Sequence, residues 1–200
     1  MKVPLDRVRE LRTATLAGIV DCKKALEETG GDVEKAKVLL RKKGIKIAEK
    51  KSLEATREGL IASYIHHNGR IGVLVEIGCQ SDFVARNSEF QDLARDVAMH
   101  IAAACPRWIS PEEVSDEACK QEKEILIEEA KREGKPDAIV EKMVEGRIRK
   151  FYGQHCLLEQ PYVKDESKRV RDYIQEVIAR LGENITVERF VRFELGEGRD

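Results

Sequence analysis

Apolar residues recur every three or four positions along residues 1–43, and glycines interrupt this pattern. Such spacing predicts three short helices, with breaks at Gly18 and Gly30-Gly31 and a last stop at Gly44. Asp32 is positioned to cap the third helix. A bundle of this size has little core, which is typical of modules that bind a partner. The predicted apolar faces comprise Leu5, Val8 and Leu11, then Ile19, Cys22 and Leu26, then Val33, Ala36, Leu39 and Leu40.

Residues 45–58 are highly charged and only weakly patterned. This texture predicts a linker with some helical character, whose lysines form a solvated face. The sequence therefore predicts three parts: a helical bundle over residues 1–44, a linker over 45–58 and a larger body over 59–200.

The larger body begins with two β-rich runs, residues 60–67 and 70–77, separated by Asn68-Gly69. Asn-Gly between such runs predicts a hairpin with a type I′ turn, because both residues tolerate a positive φ. In the second run, one face is formed by Ile71, Val73, Val75 and Ile77. Adjacent residues of a strand point to opposite faces, so His66 and His67 are not expected to chelate one metal together.

Helical periodicity returns after the hairpin. A helix is predicted from Ser88, where Ser88–Gln91 has the spacing of a capping box, up to Pro106. Further helices are predicted over 117–133, between Pro136 and Gln160-Pro161, and from Ser167 to Gly182. The buried stripe of the first of these helices comprises Phe90, Leu93, Ala94, Val97 and Ile101, and the final strand carries Val191, Phe193 and Leu195.

The hairpin and the late strand together predict a three-stranded antiparallel sheet, whose apolar face requires helices to cover it. The predicted fold class is therefore α+β, with a three-helix bundle preceding a core of this sheet packed with helices.

Charge and composition exclude several functions. Net charge is −1, with 15 Lys/Arg against 10 Asp/Glu in residues 1–58 (+5) and 21 against 27 in residues 59–200 (−6). This balance disfavours a nucleic-acid binder driven by charge. The five scattered cysteines indicate reduced thiols, and no signal-like or membrane-spanning apolar run occurs, so a cytoplasmic protein is expected. Phosphate-binding and nucleophile motifs are absent as well, which leaves no predicted catalytic, cofactor or metal residues.

An acid and a large aromatic stand side by side at the turn after the hairpin, in Ser81–Asn87 (SDFVARN). Strand-to-helix turns usually carry small polar residues. The aromatic Phe83 either closes its own core or enters a partner. The residues alone leave both interpretations open.

Seven segments of the chain stand out together: Leu11–Thr13 (LRT), Gly18–Leu26 (GIVDCKKAL), Gly31-Asp32, Leu40–Gly44 (LRKKG), Ser81–Ala85 (SDFVA), Ala98–Ala103 (AMHIAA) and Leu157–Asp165 (LLEQPYVKD). They resemble segments of the bacterial elongation factor Ts family, and they occur in that family's order over nearly the whole chain.

This resemblance implies a guanine-nucleotide exchange factor for elongation factor Tu, acting by binding and without covalent chemistry. It implies that the N-terminal bundle is ubiquitin-associated-like and docks on the nucleotide-binding domain of that GTPase. Carried over by position, the contact residues are Arg12, Ile19 and Val20 in the bundle and Ser81, Asp82, Phe83 and Val84 in the turn. The Asp-Phe pair would enter near the nucleotide and Mg²⁺. The family usually has Thr where this chain has Ser81, and the hydroxyl is kept.

The chain departs from the longer family members, which have a duplicated core half and an inserted coiled coil. The resemblance therefore implies that two copies pair to restore the missing surface, so a homodimer is expected. Neither a cofactor nor a membrane or nucleic-acid partner is implied.

Three other functions remain as alternatives. A plain binding module explains residues 1–43 but leaves Asp82-Phe83 without a role. An RNA-binding protein could use Arg41–Lys51, but the body is acidic and lacks a basic sheet studded with aromatics. An unrecognised enzyme would need a pocket around a polar residue such as Asp82.

Overall fold

The computed structural model describes residues 3–132 and 137–197, in which eight α-helices and five β-strands occur. The helices are α1 (Leu5–Thr15), α2 (Ile19–Glu28), α3 (Val33–Lys51), α4 (Asp82–Ala85), α5 (Ser88–Ala104), α6 (Asp116–Arg132), α7 (Asp137–His155) and α8 (Val170–Leu181). The strands are β1 (Glu58–Ile65), β2 (Ile71–Cys79), β3 (Pro161–Tyr162), β4 (Asp165–Arg169) and β5 (Thr186–Glu194).

Three strands form one antiparallel sheet in the order β1-β2-β5, which confirms the predicted α+β class. The alternation in β2 is also confirmed, since Val73, Val75 and Ile77 are all buried. A second sheet of two short antiparallel strands, β3 and β4, is an addition that the sequence pattern does not predict.

The hairpin is confirmed, but its predicted turn type is wrong. The backbone N–H of His66 donates to the Ile71 carbonyl over 2.9 Å, which leaves residues 67–70 as the loop. Gly69 has a φ of 67°, whereas Asn68 is not among the residues with positive φ, so the two-residue I′ turn does not form. Because His67 lies in this loop, its ring stands 4.2 Å from that of His66 and not on the opposite face.

Internal contacts divide the chain into two compact units. The first comprises Met1–Ile61, Glu76–Ala94 and Asp172–Glu188, and the second comprises Ala62–Val75, Arg95–Arg171 and Arg189–Asp200. The predicted division into bundle, linker and body stays a prediction.

In the first unit, helices α1, α2 and α3 enclose a small apolar cluster, as predicted from their periodicity. Asp32 caps α3 as expected, since its carboxylate accepts from the backbone N–H of Lys35 over 3.0 Å. Leu5 and Ile19, however, are exposed and do not belong to this core. The fully enclosed members are Val8, Leu11, Cys22, Ala25, Leu26 and Ala36.

The predicted end of α3 at Gly44 is wrong, because the helix continues to Lys51 and buries Ala48. A Cβ at position 44 would lie only 3.1 Å from the Cβ of Ala179 in α8. In the first turn of α8, the Asp172 carboxylate pairs with the Arg41 guanidinium over 3.6 Å. Gly44 therefore permits a close approach of two helices, and the first half of the predicted linker is helical.

In the second unit, the C-terminal half of α5 carries a buried histidine, His100, with both ring nitrogens hydrogen-bonded. The backbone N–H of Val163 donates to His100 Nδ1 over 3.2 Å, and His100 Nε2 lies 3.0 Å from Gln160 Oε1. Gln160 Nε2 in turn donates to the carbonyls of Ala104 and Gln154. His100 is thus a structural residue whose ring nitrogens both have hydrogen-bond partners within the fold.

Helices α6 and α7 pack on each other around Leu126, Val140, Val144 and Ile148. The predicted boundary between these two helices, from residue 133 to Pro136, lies outside the described residues.

One predicted helix end, one predicted helix start and one predicted N-cap are corrected, whereas α5 begins at Ser88 as predicted. Helix α7 ends at His155, before the predicted Gln160-Pro161. Ser167 lies in strand β4, so α8 begins only at Val170. At α5, Asn87 provides the N-terminal hydrogen bond, accepting from the N–H of Glu89 over 2.8 Å.

Candidate functional site

The turn between β2 and α5 holds an aromatic side chain in solvent. Phe83 is 82% exposed, whereas Phe90, in the next helix, is fully buried. A Phe that closed the core at this junction would be enclosed, so the structure excludes that interpretation for the free chain. An exposed Phe on a folded turn instead offers a ready contact for a partner.

Local hydrogen bonds fold this turn into the one-turn helix α4. Ser81 has an extended backbone, and its Oγ accepts from the backbone N–H of Val84 over 3.4 Å. The N–H of Ala85 donates to the Ser81 carbonyl over 3.1 Å. Val84 is buried and attaches the turn to the core, whereas the neighbouring Phe83 points into solvent.

Asp82 lies at the start of α4, where a negative charge suits the helix N-terminus. Its carboxylate pairs with the guanidinium of Arg86 over 3.1 Å; the Arg86 side chain is largely exposed, and that of Asp82 is about half exposed. Such an exposed pair contributes little to stability. Asp82 therefore remains accessible to polar groups of a partner.

A carboxylate distant in the sequence holds the entry to the turn. Glu183 Oε2 accepts from the backbone N–H groups of Gln80 over 3.2 Å and Ser81 over 3.0 Å. Glu183 Oε1 accepts from Ser81 Oγ over 2.6 Å. Sequence reasoning missed Glu183, because nothing in the local pattern of the turn or of the loop after α8 marks the contact.

A second set of contacts joins the end of α3 to the same entry. The Glu54 carboxylate accepts from the side-chain amide of Gln80 and from Lys51 Nζ, the latter over 3.0 Å. These two hydrogen bonds hold the pKa of Glu54 below its usual value, and the bond from Gln80 is the larger of the two causes. The side-chain amide of Asn184 donates to the Glu54 carbonyl over 2.7 Å.

A second exposed apolar patch lies at the junction of α1 and α2 in the bundle. Ile19 is 52% and Val20 63% exposed at the start of α2, and Arg12 is exposed near the end of α1. Leu16, between the two helices, is exposed too and has a left-handed backbone with φ of 56°. Sequence reasoning missed Leu16, although its position between two predicted helices marked it as a loop residue.

In residues 3–132 and 137–197, no group of three or more His, Cys, Asp or Glu is arranged to hold a metal ion. Within the same ranges, no helix is both long and apolar enough to cross a membrane.

Comparison with known proteins decides the family. The sequence model described as Elongation factor TS matches residues 8–197. The chain belongs to the elongation factor Ts family. It is therefore a translation elongation factor.

Relatives named Elongation factor Ts match almost end to end. The one from Geotalea daltonii is 56% identical over 99% of this chain and 92% of its own length. The one from Thermosipho melanesiensis is 54% identical over 95% and 97%, and the one from Fervidobacterium nodosum 51% over 98% and 100%. The chain is thus of nearly the same length as these members of the elongation factor Ts family.

Proposed function

We propose that this chain is a guanine-nucleotide exchange factor that binds GDP-bound elongation factor Tu and promotes release of GDP. Asp82 and Phe83 enter near the nucleotide and Mg²⁺, while the N-terminal bundle anchors the factor on the nucleotide-binding domain. The observation that carries this proposal is the 82% exposure of Phe83 on a turn held by hydrogen bonds. Membership of the elongation factor Ts family supports it.

Exchange of this kind requires binding and no covalent step. A GTPase holds its nucleotide mainly through phosphate contacts to backbone N–H groups, a Lys and Mg²⁺. Burying one Phe side chain in an apolar slot contributes about 1.5–3 kcal/mol. If the slot opens only when the phosphate-binding elements have moved, the factor and GDP weaken each other's binding by the same amount.

The two exposed patches of the first unit have different roles in this proposal. Ile19 and Val20, flanked by Arg12, supply affinity that is independent of the nucleotide. Phe83 supplies the contact that competes with GDP, and Asp82 orients it through polar contacts. Ser81 and the buried Val84 act from within the turn, by holding α4 in place.

The proposal assigns no cofactor, metal ion or enzymatic step to the chain and places it in the cytoplasm, where translation elongation takes place. RNA binding through α3 is the alternative with some support, because this helix carries eight Lys or Arg against two Glu. RNA retention that weakens steeply with salt would favour this alternative.

We also propose that two copies of the chain pair through the outer face of the three-stranded sheet. On β2, Val73 and Val75 face the buried side, so Leu74 faces the other side, where it is exposed. Ile65 on β1 and Phe193 on β5 are about two-thirds exposed as well. An exposed apolar sheet face of this kind is typical of a surface that another protein covers.

Molar mass by light scattering tests the pairing. A dimer that the substitution Phe193→Asp converts to monomer, while Ile125→Asp on α6 does not, is the expected result. A monomer at every concentration would overturn the proposed homodimer without affecting the exchange function.

Release of fluorescent GDP from elongation factor Tu tests the function itself. We expect the wild-type chain to accelerate release, and Phe83→Ala to slow the accelerated rate at least tenfold, equivalent to about 1.4 kcal/mol. Ile125→Ala is the matched control, since it truncates an exposed apolar side chain on α6. No acceleration by the wild type would overturn the proposal and favour a plain binding module.

A further inference from the structure

The segment that leads into the Phe83 turn, Gln80-Ser81, is held by the side chain of Glu183. The exchange function proposed above assigns no role to this residue. All three hydrogen bonds from Gln80 and Ser81 to Glu183 come from groups just after the end of β2. Backbone N–H groups at the end of a strand need an acceptor other than the sheet. A single carboxylate satisfies two of them and a hydroxyl, and hydrogen bonds to a charged acceptor are stronger than those between neutral groups.

The Ser81 hydroxyl connects Glu183 to helix α4 through two hydrogen bonds. A hydroxyl has one proton to donate and two lone pairs that accept. At Ser81 the proton goes to Glu183 Oε1, and a lone pair accepts from the N–H of Val84. Glu183 therefore orients the hydroxyl that caps the helical turn on which Phe83 stands.

Glu183 is itself held in place on both sides. Gly182, with φ of 76°, ends α8, and its N–H donates to the Ile178 carbonyl over 2.8 Å. Asn184 on the other side is buried and bonded to the Glu54 carbonyl. The carboxylate is thus attached to a fixed backbone and can transmit this fixed position to the turn.

We infer that Glu183 is the positioning residue for Phe83 in nucleotide exchange. This inference rests on the exchange function proposed above. Glu183 does not need to touch the GTPase, because its carboxylate acts through three hydrogen bonds to the base of the turn. Its expected contribution is a turn already arranged for insertion before the partner arrives.

Glu183→Gln is the most direct test, because it keeps the size of the side chain. A Gln has one acceptor oxygen and two N–H donors, so it cannot accept from Gln80, Ser81 N and Ser81 Oγ together. We expect the maximal rate of GDP release to fall roughly tenfold, as misplacement of a group by about 1 Å often costs this much or more. Affinity for the nucleotide-free GTPase should change less, because the patch on α2 is intact.

Glu188→Gln is the matched control. Glu188 lies in β5 and accepts from the hydroxyls of Thr56 and Thr186, without a contact to the turn. Its substitution should leave the release rate unchanged. An equal loss in both variants would mean that any carboxylate in this region matters, and would overturn the inference.

A double substitution distinguishes positioning from a general structural role. If Glu183 acts through Phe83, then Glu183→Gln in the Phe83→Ala background should slow release by less than about twofold. A full tenfold further loss in that background would show that Glu183 acts by another route, and would contradict the inference.

Amide hydrogen exchange in the free chain provides a readout that needs no GTPase. Glu183→Gln should increase the exchange rates of the Gln80 and Ser81 amides at least tenfold, and Glu188→Gln should not. Unchanged rates would overturn the positioning role even if the wild type accelerates GDP release. Conversely, Glu183→Gln could increase amide exchange at Gln80 and Ser81 while the wild type fails to accelerate GDP release. The proposed function would then be wrong, and the stabilisation of the turn by Glu183 would still be established.

Discussion

The Phe83 turn and the surroundings of His100 are both held by hydrogen bonds between segments distant in the sequence, but one leaves an apolar side chain exposed and the other is buried. In each, a polar side chain contacts a segment far away in the sequence, through Glu183 in one unit and through Gln160 in the other. Around His100 both partners are buried, and the hydrogen bonds compensate for that burial. At the turn, the hydrogen bonds instead hold an exposed aromatic in a defined position. The proposed exchange function requires this combination of a polar network with an exposed apolar side chain.

Phe83 and Phe90 make the contrast within one stretch of chain. Both follow the strand β2, yet one is exposed and the other belongs to the core. Stability should therefore depend on Phe90, and nucleotide exchange on Phe83.

The largest expected effect separates these two residues by stability. Phe90→Ala removes a fully buried ring, which typically lowers the free energy of unfolding by about 3–5 kcal/mol. Phe83→Ala should lower it by less than about 0.5 kcal/mol, as is usual for exposed positions. Urea unfolding of the two variants measures both values. Similar losses would mean that Phe83 is packed in solution, and would contradict its role as an exposed contact.

A smaller effect follows from protonation of His100. Burial lowers the pKa of this imidazole below its usual value, although the hydrogen bond that it donates to Gln160 acts in the opposite direction. The unfolded chain then binds a proton that the folded chain does not, so stability falls as the pH falls below about 6.5. The loss should reach up to about 1.4 kcal/mol per pH unit and stop below the folded pKa.

Urea midpoints at pH 7.5 and 5.5 check this, with His100→Gln as the variant that cannot titrate. The wild type should lose more stability over this interval than the variant. An equal pH dependence in the two proteins would show that His100 is not the responsible group.

The smallest expected effect concerns the patch on α2. Val20→Ala should weaken binding to elongation factor Tu by about 1 kcal/mol, because it removes part of one exposed apolar contact. The maximal release rate at saturating factor should not change, since the proposed function assigns competition with GDP to Phe83 and not to this patch. Val38→Ala, at an exposed position on α3, is the control and should change neither quantity. A loss of maximal rate in Val20→Ala would contradict the separate roles proposed for the α2 patch and for Phe83.

The sequence predicts the parts of this molecule whose signals are local. The stripe of α5 is confirmed because helical periodicity and burial coincide at each of its positions, and the alternation of β2 is confirmed for the same reason. Asn68-Gly69 correctly predicts the hairpin, but its loop type depends on the pairing of His66 with Ile71. Register of this kind is decided across strands and not by the turn residues alone.

The failures share a physical cause. Gly44 has the sequence signature of a helix stop, yet its lack of a side chain serves the approach of Ala179, which no local pattern reveals. Strand β4 has no apolar alternation, so the local pattern predicts a helix start at Ser167 instead. Among the site residues, Phe83 stands out by its type and place, whereas Glu183 becomes visible only when folding brings it to Ser81.

The proposed exchange function requires that Phe83 couple binding of the chain to loss of GDP. The most direct measurement compares the affinity of the chain for elongation factor Tu in the nucleotide-free form and at saturating GDP, for the wild type and for Phe83→Ala. We expect GDP to weaken wild-type binding strongly, and the substitution to reduce this factor about tenfold, the equivalent of about 1.4 kcal/mol of coupling. An identical factor in both proteins would contradict the claim.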